Sequence, residues 1–431
     1  MDPRHYIHEL KNGMKVIMVP RKTLGLVYIS LVLKNGLLDE DKHTLSFTHA
    51  GEHLFAKYTS KKYPRVESVK GRLGFLGIEN NAFTSKFNTG YWFLGNEKHL
   101  PFLMSLVSSS FFDYKFTDDW PKQRNIVAEE VKARHSHIWN PLYELVLNTL
   151  YPRHRLSVTW REELKCLSHA SLRDVLRFNS RKWDPRHAML LVEGDFEVGV
   201  VLPDIQKLFD HPKPDVHYDL KASPVALLKG PKLVRISIPS SHTSKLMYIF
   251  QLPHMSRFDW KLDAVLLMML RYFCTGYYSR LYQLLREKHG LIYGLESEYE
   301  LSPVPEVLPG ILQITIQVDP AHVDKVRAIV DEELERLKKF VIPRKEMLRL
   351  KNNLQFQRSM EILNKKPGKF VEQCAAFVGW DRPVQTFTDY YDQLRKVKSS
   401  EIQGVAKRVF KKEHMLVAIG EGTSSSKGKI L

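Results

Sequence analysis

Hydrophobic and polar positions along the chain predict short strands that alternate with helices. Two early apolar runs, 15–20 and 27–33, have the length and β-branched content of strands, and we expect them to pair with each other. The pattern then predicts a helix over about 45–58, strands near 81–84 and 91–94, a helix near 100–110 and a strand over 188–192.

The second half of the chain repeats this order of elements. Strands are predicted at 233–238, 246–250, 311–316 and 415–420, with helices over 264–273, 323–340 and 345–362. The repetition predicts an α+β fold of two homologous domains, each a mainly antiparallel sheet packed with helices. We predict a first domain over 1–211, a Pro-containing linker over 212–224 and a second domain over 225–431.

Composition narrows the classes of protein that fit. The chain has 431 residues, three cysteines and no apolar run of about 18 residues that would span a bilayer. We expect no secretory signal at the N-terminus and a cytoplasmic or other reducing intracellular location. The formal net charge is +17, but the basic residues form only short clusters. This pattern favours a solvated surface over a nucleic-acid-binding site.

The most specific chemical pattern is His49-Ala50-Gly51-Glu52-His53. Positions four apart share one face of a helix, so both imidazoles can reach one metal ion while Glu52 projects beside them. This is the inverted form of the HExxH arrangement of zinc hydrolases. Taken alone, the motif fits a surface helix with two solvated histidines equally well, and a catalytic zinc needs a third ligand.

Glu130 is the candidate for that third ligand. It lies on a helix that is predicted to begin near Thr117-Asp118-Asp119, to run to about Trp139 and to be stopped by Asn140-Pro141. The second half of the chain has no equivalent motif, because its matching helix is apolar over 266–270. Any such metal site therefore belongs to the first half.

The separation of His53 and Glu130 by 76 residues resembles the pitrilysin, insulysin and mitochondrial processing peptidase family of zinc peptidases. By this match the ligand is Glu130 rather than Glu129, since the family's ligand directly precedes an apolar residue, here Val131. Three further segments support the resemblance, which covers nearly the whole chain: 80–85, 194–196 and 286–293.

The resemblance implies a function and a set of site residues. It implies one Zn²⁺ per chain, bound by three residues: His49, His53 and Glu130. It implies hydrolysis of unfolded peptides or extended segments by a zinc-activated water, with Glu52 as general base. Arg286 and Tyr293 would stabilise the oxyanion and position the substrate. An edge strand containing Asn81 and Ala82 would pair with the substrate backbone.

The resemblance also implies an assembly, because family members of this length pair. We expect a homodimer or a heterodimer with a related chain, in which Arg286 and Tyr293 act on the partner's zinc site. Two positions depart from the family pattern. Gln123 stands where a second Glu is common, which puts that auxiliary role in doubt. Gly51 is smaller than the usual residue and costs a helix about 1 kcal/mol.

Two other classes of function stay open at this stage. The chain could be a noncatalytic peptide-binding or structural subunit, although every residue of the zinc motif is present. A nucleic-acid-binding role that uses the positive charge is the less favoured alternative. The sequence does not identify the natural substrate or its cleavage preference.

Overall fold

The structure is a computed structural model that describes residues 3–116, 119–212, 224–239, 241–363 and 366–423. Within these ranges, no helix is long and apolar enough to cross a membrane. The strands are β1 (Tyr6–Glu9), β2 (Lys15–Pro20), β3 (Leu26–Leu33), β4 (Glu79–Thr84), β5 (Thr89–Asn96), β6 (Ala188–Gly194), β7 (Lys232–Ile238), β8 (Ser244–Leu252), β9 (Ile292–Glu300), β10 (Gly310–Val318) and β11 (Met415–Gly422).

Helices connect these strands and cover the sheets. They are α1 (Phe47–Phe55), α2 (Val66–Phe75), α3 (Leu100–Phe112), α4 (Trp120–Arg134), α5 (Asn140–Leu150), α6 (Trp160–His169), α7 (Leu172–Ser180), α8 (Val198–Phe209), α9 (Trp260–Phe273), α10 (Arg280–Tyr282), α11 (Val323–Leu337), α12 (Arg344–Leu363), α13 (Lys369–Val378), α14 (Phe387–Lys396) and α15 (Ser399–Val409). A π-helical turn over Gln283–Lys288 continues α10.

The first sheet has the order β1-β2-β6-β3-β5-β4. All neighbours are antiparallel except β2 and β6, which are parallel. The expectation that the first two apolar runs pair with each other is wrong, because β6 lies between β2 and β3 and bonds to both. The alternation of each run predicts a strand, but it holds no information about a partner far away in sequence.

The second sheet has the order β7-β11-β8-β10-β9, with one parallel pair, β7 and β11. Its five strands follow the same arrangement as β2-β6-β3-β5-β4, including the parallel pair at the same place. The predicted α+β fold with two homologous domains and mainly antiparallel sheets is therefore confirmed. In this correspondence β4 and β9 are equivalent, and each is the edge strand of its sheet.

The chain forms two compact units that exchange one segment each. One unit holds 1–135, 158–222 and 362–386, and the other holds 136–157, 223–361 and 387–431. Helix α5, from the first half, packs on β7 and β11, whereas α13, from the second half, packs on β2 and β6. The domain limits predicted from the sequence stay a prediction, and residues 213–223 of the predicted linker lie outside the described ranges.

Strand β2 illustrates why the first sheet needs cover on both faces. Val16 and Met18 point into a core that contains residues of α3 and α8. The residues that alternate with them, Ile17 and Val19, are fully buried as well. Successive side chains of a strand point to opposite faces, so the second pair lies on the face where α13 packs. The sheet is thus buried on both sides by helices of its own unit.

The ends of two predicted helices differ from the structure. Helix α1 is confirmed but is shorter than predicted, and α4 ends at Arg134 rather than near Trp139. Asn140 begins the next helix, with a proline in its first turn, because a proline lacks only an N–H that has no partner there. Thr117 and Asp118, predicted as part of a cap, lie outside the described residues.

Candidate metal centre

Helix α1 presents both motif histidines on one face, as the spacing predicts. The rings of His49 and His53 lie with centroids 4.9 Å apart and nearly perpendicular planes. The adjoining face is apolar, with Ala50 and Leu54 buried. These two residues belong to a cluster that includes Val127 of α4. Packing of α1 against α4 therefore brings the imidazoles towards the polar side of the second helix.

Gly51 explains how closely another helix approaches the motif. A Cβ atom built at Gly51 would lie 2.4 Å from the side chain of Asn179 on α7. Asn179 is buried, and its amide donates hydrogen bonds to the carbonyls of Phe47 and Val175, both 2.9 Å long. The small residue that departs from the family pattern therefore lets α7 pack directly against α1, which offsets its low helix propensity.

Glu130 lies opposite the two histidines. Its Oε2 atom is 3.2 Å from Nε2 of His49 and 3.2 Å from Nε2 of His53. One ligand atom from each of these three residues lies within 4.8 Å of the other two. The structure thus brings together the three residues that the family resemblance implies as zinc ligands.

The donor set fits a zinc ion. Two imidazole nitrogens and one carboxylate oxygen are the ligands of many catalytic zinc sites, which keep a fourth position open. Burial, together with the neighbouring His53 and the guanidinium of Arg134, lowers the pKa of His49 to about 3. This imidazole is therefore neutral at pH 7, which is the form that binds a metal.

Glu52 is held beside the histidines by an element outside the motif. The hydroxyl of Thr84 on β4 donates a hydrogen bond of 2.5 Å to Glu52 Oε2. Burial raises the pKa of Glu52, while the hydrogen bond from Thr84 acts in the opposite direction. A partly desolvated, oriented carboxylate at this position is suited to accept and return a proton.

A cavity of about 850 Å³ connects these residues with the edge strand. Asn81 and Ala82 of β4 line it, as do His49, Glu52, His53 and Glu130. Asn81 is exposed, and its Oδ1 accepts a hydrogen bond of 2.9 Å from the backbone N–H of Ala82. The predicted substrate-pairing residues are therefore in the same cavity as the predicted ligands.

Gln123, which stands where the family often has a second Glu, is buried at the cavity wall. Its Nε2 donates a hydrogen bond of 3.1 Å to Asp119 Oδ2, the oxygen that also pairs with Lys57. Lys57 lines the cavity as well, so its charge is offset by Asp119. Because the side chain of Gln123 is a neutral amide, the charge of Asp119 remains available to neutralise Lys57.

Arg286 and Tyr293 lie in the other compact unit. Arg286 is in the π-helical turn, and it donates a hydrogen bond of 2.5 Å to the carbonyl of Ile292. Tyr293 is on the edge strand β9, with 55% of its surface exposed. Neither lines the cavity that contains Glu52. Their proposed contribution to catalysis stays a prediction.

The cavity also contains polar residues that the sequence-based set lacks, among them Thr84, Lys122 and Arg134. The sequence could have predicted two of them. Lys122 stands eight positions before Glu130 and Arg134 four positions after it, so the intervals of four place them along the same side of one helix. Nothing local in the sequence indicates the contact between Thr84 and Glu52, since it joins a strand to a helix 32 positions away.

The chain is similar in sequence to a known peptidase family and to proteins named as zinc proteases. The family described as insulinase (peptidase family M16) matches residues 15–162, and the peptidase M16 inactive domain matches residues 169–354. The uncharacterized zinc protease YmxG of Bacillus subtilis is 23% identical, over 95% of this chain and 96% of that protein. The zinc protease PqqE of Helicobacter pylori is 26% identical, over 95% of this chain and 91% of that protein.

Solved structures give the same result for the fold. A protease from Helicobacter pylori superimposes with a TM-score of 0.83 at 22% identity, covering 98% of this chain and all of that one. A peptidase M16 inactive domain from Pseudomonas fluorescens superimposes with a TM-score of 0.81 at 15% identity, covering 98% of this chain and 100% of that one. Together the two family matches span most of the chain, which therefore belongs to the insulinase family, peptidase family M16.

Proposed function

We propose that the protein is a zinc metalloendopeptidase that cleaves unfolded peptides or extended segments. The observation that carries this proposal is the convergence of His49, His53 and Glu130 within 4.8 Å, in one cavity with Glu52 and the edge strand β4. The names of the related zinc proteases support the same class of reaction at low sequence identity.

In the proposed mechanism, His49, His53 and Glu130 would hold one Zn²⁺. When bound, the ion would supply a Lewis acid for the scissile carbonyl and lower the pKa of water to about 7. Glu52 accepts the proton of the attacking water and returns it to the leaving amine. Thr84 keeps the carboxylate of Glu52 oriented for both transfers.

Strand β4 would bind the substrate by adding it as another strand at the edge of the sheet. Extended peptides bind in this way through main-chain hydrogen bonds, largely without regard to sequence. The substrate would replace the local hydrogen bond between Asn81 Oδ1 and the N–H of Ala82. We propose that Arg286 and Tyr293 complete the site by stabilising the oxyanion, supplied by a partner chain in a homodimer or heterodimer.

The test is cleavage of an unstructured peptide library, read by mass spectrometry, before and after removal of metal with a chelator and again after zinc is restored. We expect cleavage that requires zinc and that is lost in Glu52→Gln. The variant must retain zinc, because Glu52 is not one of the three proposed ligands. Cleavage by the wild-type protein that survives the chelator, or cleavage by Glu52→Gln at the wild-type rate, would contradict the proposal.

The second candidate is a noncatalytic peptide-binding subunit. It is favoured by one observation, the match of residues 169–354 to a domain described as inactive. The same library separates the two candidates. A wild-type protein that binds one equivalent of zinc and retains peptides without cleaving any of them would support the noncatalytic function.

A further inference from the structure

The cavity of the candidate metal centre is lined by four basic side chains. Lys57 is neutralised by Asp119. The other three, Lys70, Lys122 and Arg134, are exposed and form no ion pair among the described residues. These three positive charges therefore face the space that a substrate would occupy.

The acidic side chains of the cavity do not balance this charge. Glu52 and Glu130 are the carboxylates that line it, and a divalent cation bound beside them would offset their two negative charges. Lys70, Lys122 and Arg134 would then give the cavity an excess of positive charge. A cavity with one sign of charge attracts and orients groups of the opposite sign.

Helix α4 fixes where two of these charges lie. Lys122, Ile126, Glu130 and Arg134 follow one another at intervals of four, so they form a stripe along one face of the helix, and all four line the cavity. With a rise of about 1.5 Å per residue, Arg134 is about 6 Å beyond Glu130 along the helix and Lys122 about 12 Å before it. The proposed metal ligand thus lies between two basic residues.

These spacings can be converted into positions along a substrate. An extended peptide advances about 3.3 Å per residue, so in a substrate segment that lies along α4 a length of 6 Å corresponds to about two residues and 12 Å to about four. Ile126, with 37% of its surface exposed, lies between Lys122 and Glu130 and offers an apolar contact rather than a charge.

We propose that the cavity selects peptides with acidic side chains near the scissile bond: one about two residues away on the side of Arg134, and a second about four residues away on the side of Lys122. This inference rests on the proposed peptidase function and adds to it a class of substrate. Arg134 and Lys122 act in it as specificity-determining residues, which contact the substrate's carboxylates.

The test uses peptides with blocked ends that differ at one position, which carries Glu, Gln or Lys. At the peptide position expected to contact Arg134, we expect the wild-type kcat/KM to be at least about fivefold higher for the Glu peptide than for the Lys peptide. Arg134→Glu should reverse this order, and Lys122→Glu should do so only at the more distant position. The preference should shrink from about 0.05 to about 0.5 M salt, because salt screens exposed charges.

Lys132→Glu is the matched control. It makes the same change of charge on the same helix, but Lys132 does not line the cavity and pairs with Glu129. The proposal is overturned if wild type cleaves the Glu and Lys peptides equally, or if Lys132→Glu changes the preference as much as Arg134→Glu. Should Arg134→Glu fail to fold, Arg134→Gln must still reduce the preference.

A binding measurement separates this inference from the proposed function. The fluorescently labelled Glu and Lys peptides are titrated into zinc-loaded Glu52→Gln protein, and their affinities are read by anisotropy. Tighter binding of the Glu peptide supports the acidic preference even if the wild-type protein cleaves nothing, in which case the peptidase function alone fails. Equal affinities contradict the acidic preference even if cleavage is observed.

Discussion

The hydroxyl of Thr84 donates a 2.5 Å hydrogen bond to Oε2 of Glu52. Thr84 is the last residue of the edge strand β4, and Glu52 lies within the motif helix α1. The bond therefore links the element proposed to bind the substrate to the carboxylate proposed to transfer protons. A substrate strand that shifts β4 would also shift the proposed base.

Replacing Thr84 with valine should lower kcat about tenfold, which corresponds to the loss of one hydrogen bond to a charged group. Valine has the same shape but no hydroxyl, so Glu52 would no longer be held in one orientation. Zinc content should be unchanged. Thr84→Ser, which keeps the hydroxyl, is the control and should retain most of the activity. Wild-type kcat in Thr84→Val would show that the bond has no role in catalysis.

Glu130→Gln should weaken zinc binding at least about a hundredfold, since even residues that only contact a ligand change affinity by about ten- to a hundredfold. The neighbouring Glu129→Gln makes the same chemical change, but Glu129 is exposed and pairs with Lys132. Titration with a chromophoric zinc chelator measures both. Equal affinity in the two variants would exclude Glu130 as the ligand.

Gly51→Ala should destabilise the protein by about 1–3 kcal/mol, the usual cost of forcing an extra group into a packed site. The added Cβ would collide with Asn179, whose side chain is fixed by three hydrogen bonds. Gly71→Ala in α2 is the matched control, because its Cβ meets nothing within 4 Å. Urea unfolding should show Gly71→Ala as neutral or stabilising, owing to the better helix propensity of alanine. The same loss in both variants would contradict the packing argument.

Glu193→Gln should destabilise the unit that contains it by about 2–3 kcal/mol. Glu193 is fully buried, and its Oε2 accepts hydrogen bonds of 3.0 Å from the backbone N–H groups of Gly368 and Val371. Its Oε1 accepts a third from Arg21. An amide cannot accept all three.

Limited proteolysis measures the same change locally. Cleavage within 366–386 should become faster in Glu193→Gln, because this carboxylate anchors the start of α13. Glu67→Gln, at an exposed position of α2, is the control and should leave both stability and cleavage unchanged. Unaltered proteolysis in Glu193→Gln would mean that other contacts hold the segment.

Mixing two inactive variants tests whether Arg286 and Tyr293 act across a dimer. Glu52→Gln lacks the proposed base, and Tyr293→Phe lacks the proposed oxyanion donor. If each chain supplies one part of the site, a dimer of the two variants contains one intact site of two. About half of the dimers are mixed after exchange at equal concentrations, so up to about a quarter of the wild-type activity should return. Subunit exchange is followed with differently labelled chains. Complete exchange without recovered activity would contradict action in trans.

Patterns within one segment predicted the elements of the site well. The intervals of four that place His49 beside His53 are a property of a single helix, and the structure confirms that these rings share a face. The first and last residues predicted for a strand are also close to those observed, as for β2. What alternation could not predict was the order of strands, because β6 joins β2 and β3 from more than 150 positions away.

Contacts between distant segments account for most of what the sequence did not reveal. Gly51 looked unfavourable as an isolated helical residue, but the approach of Asn179 gives it a structural reason. The charge of +17 looked like a solvated surface, and only the fold shows that Lys70, Lys122 and Arg134 line one cavity. Propensity and periodicity describe single elements, whereas these features depend on which elements meet.

The exchange of α5 and α13 has a consequence for how the protein is made. When residues 1–211 have been synthesised, the chain contains every strand of the first sheet but not α13, the helix that packs on β2 and β6. That apolar face of the sheet lacks its helix until α13 has left the ribosome, well after synthesis of the second half has begun. The first half of this duplicated protein therefore cannot finish folding during its own synthesis and must wait for the second.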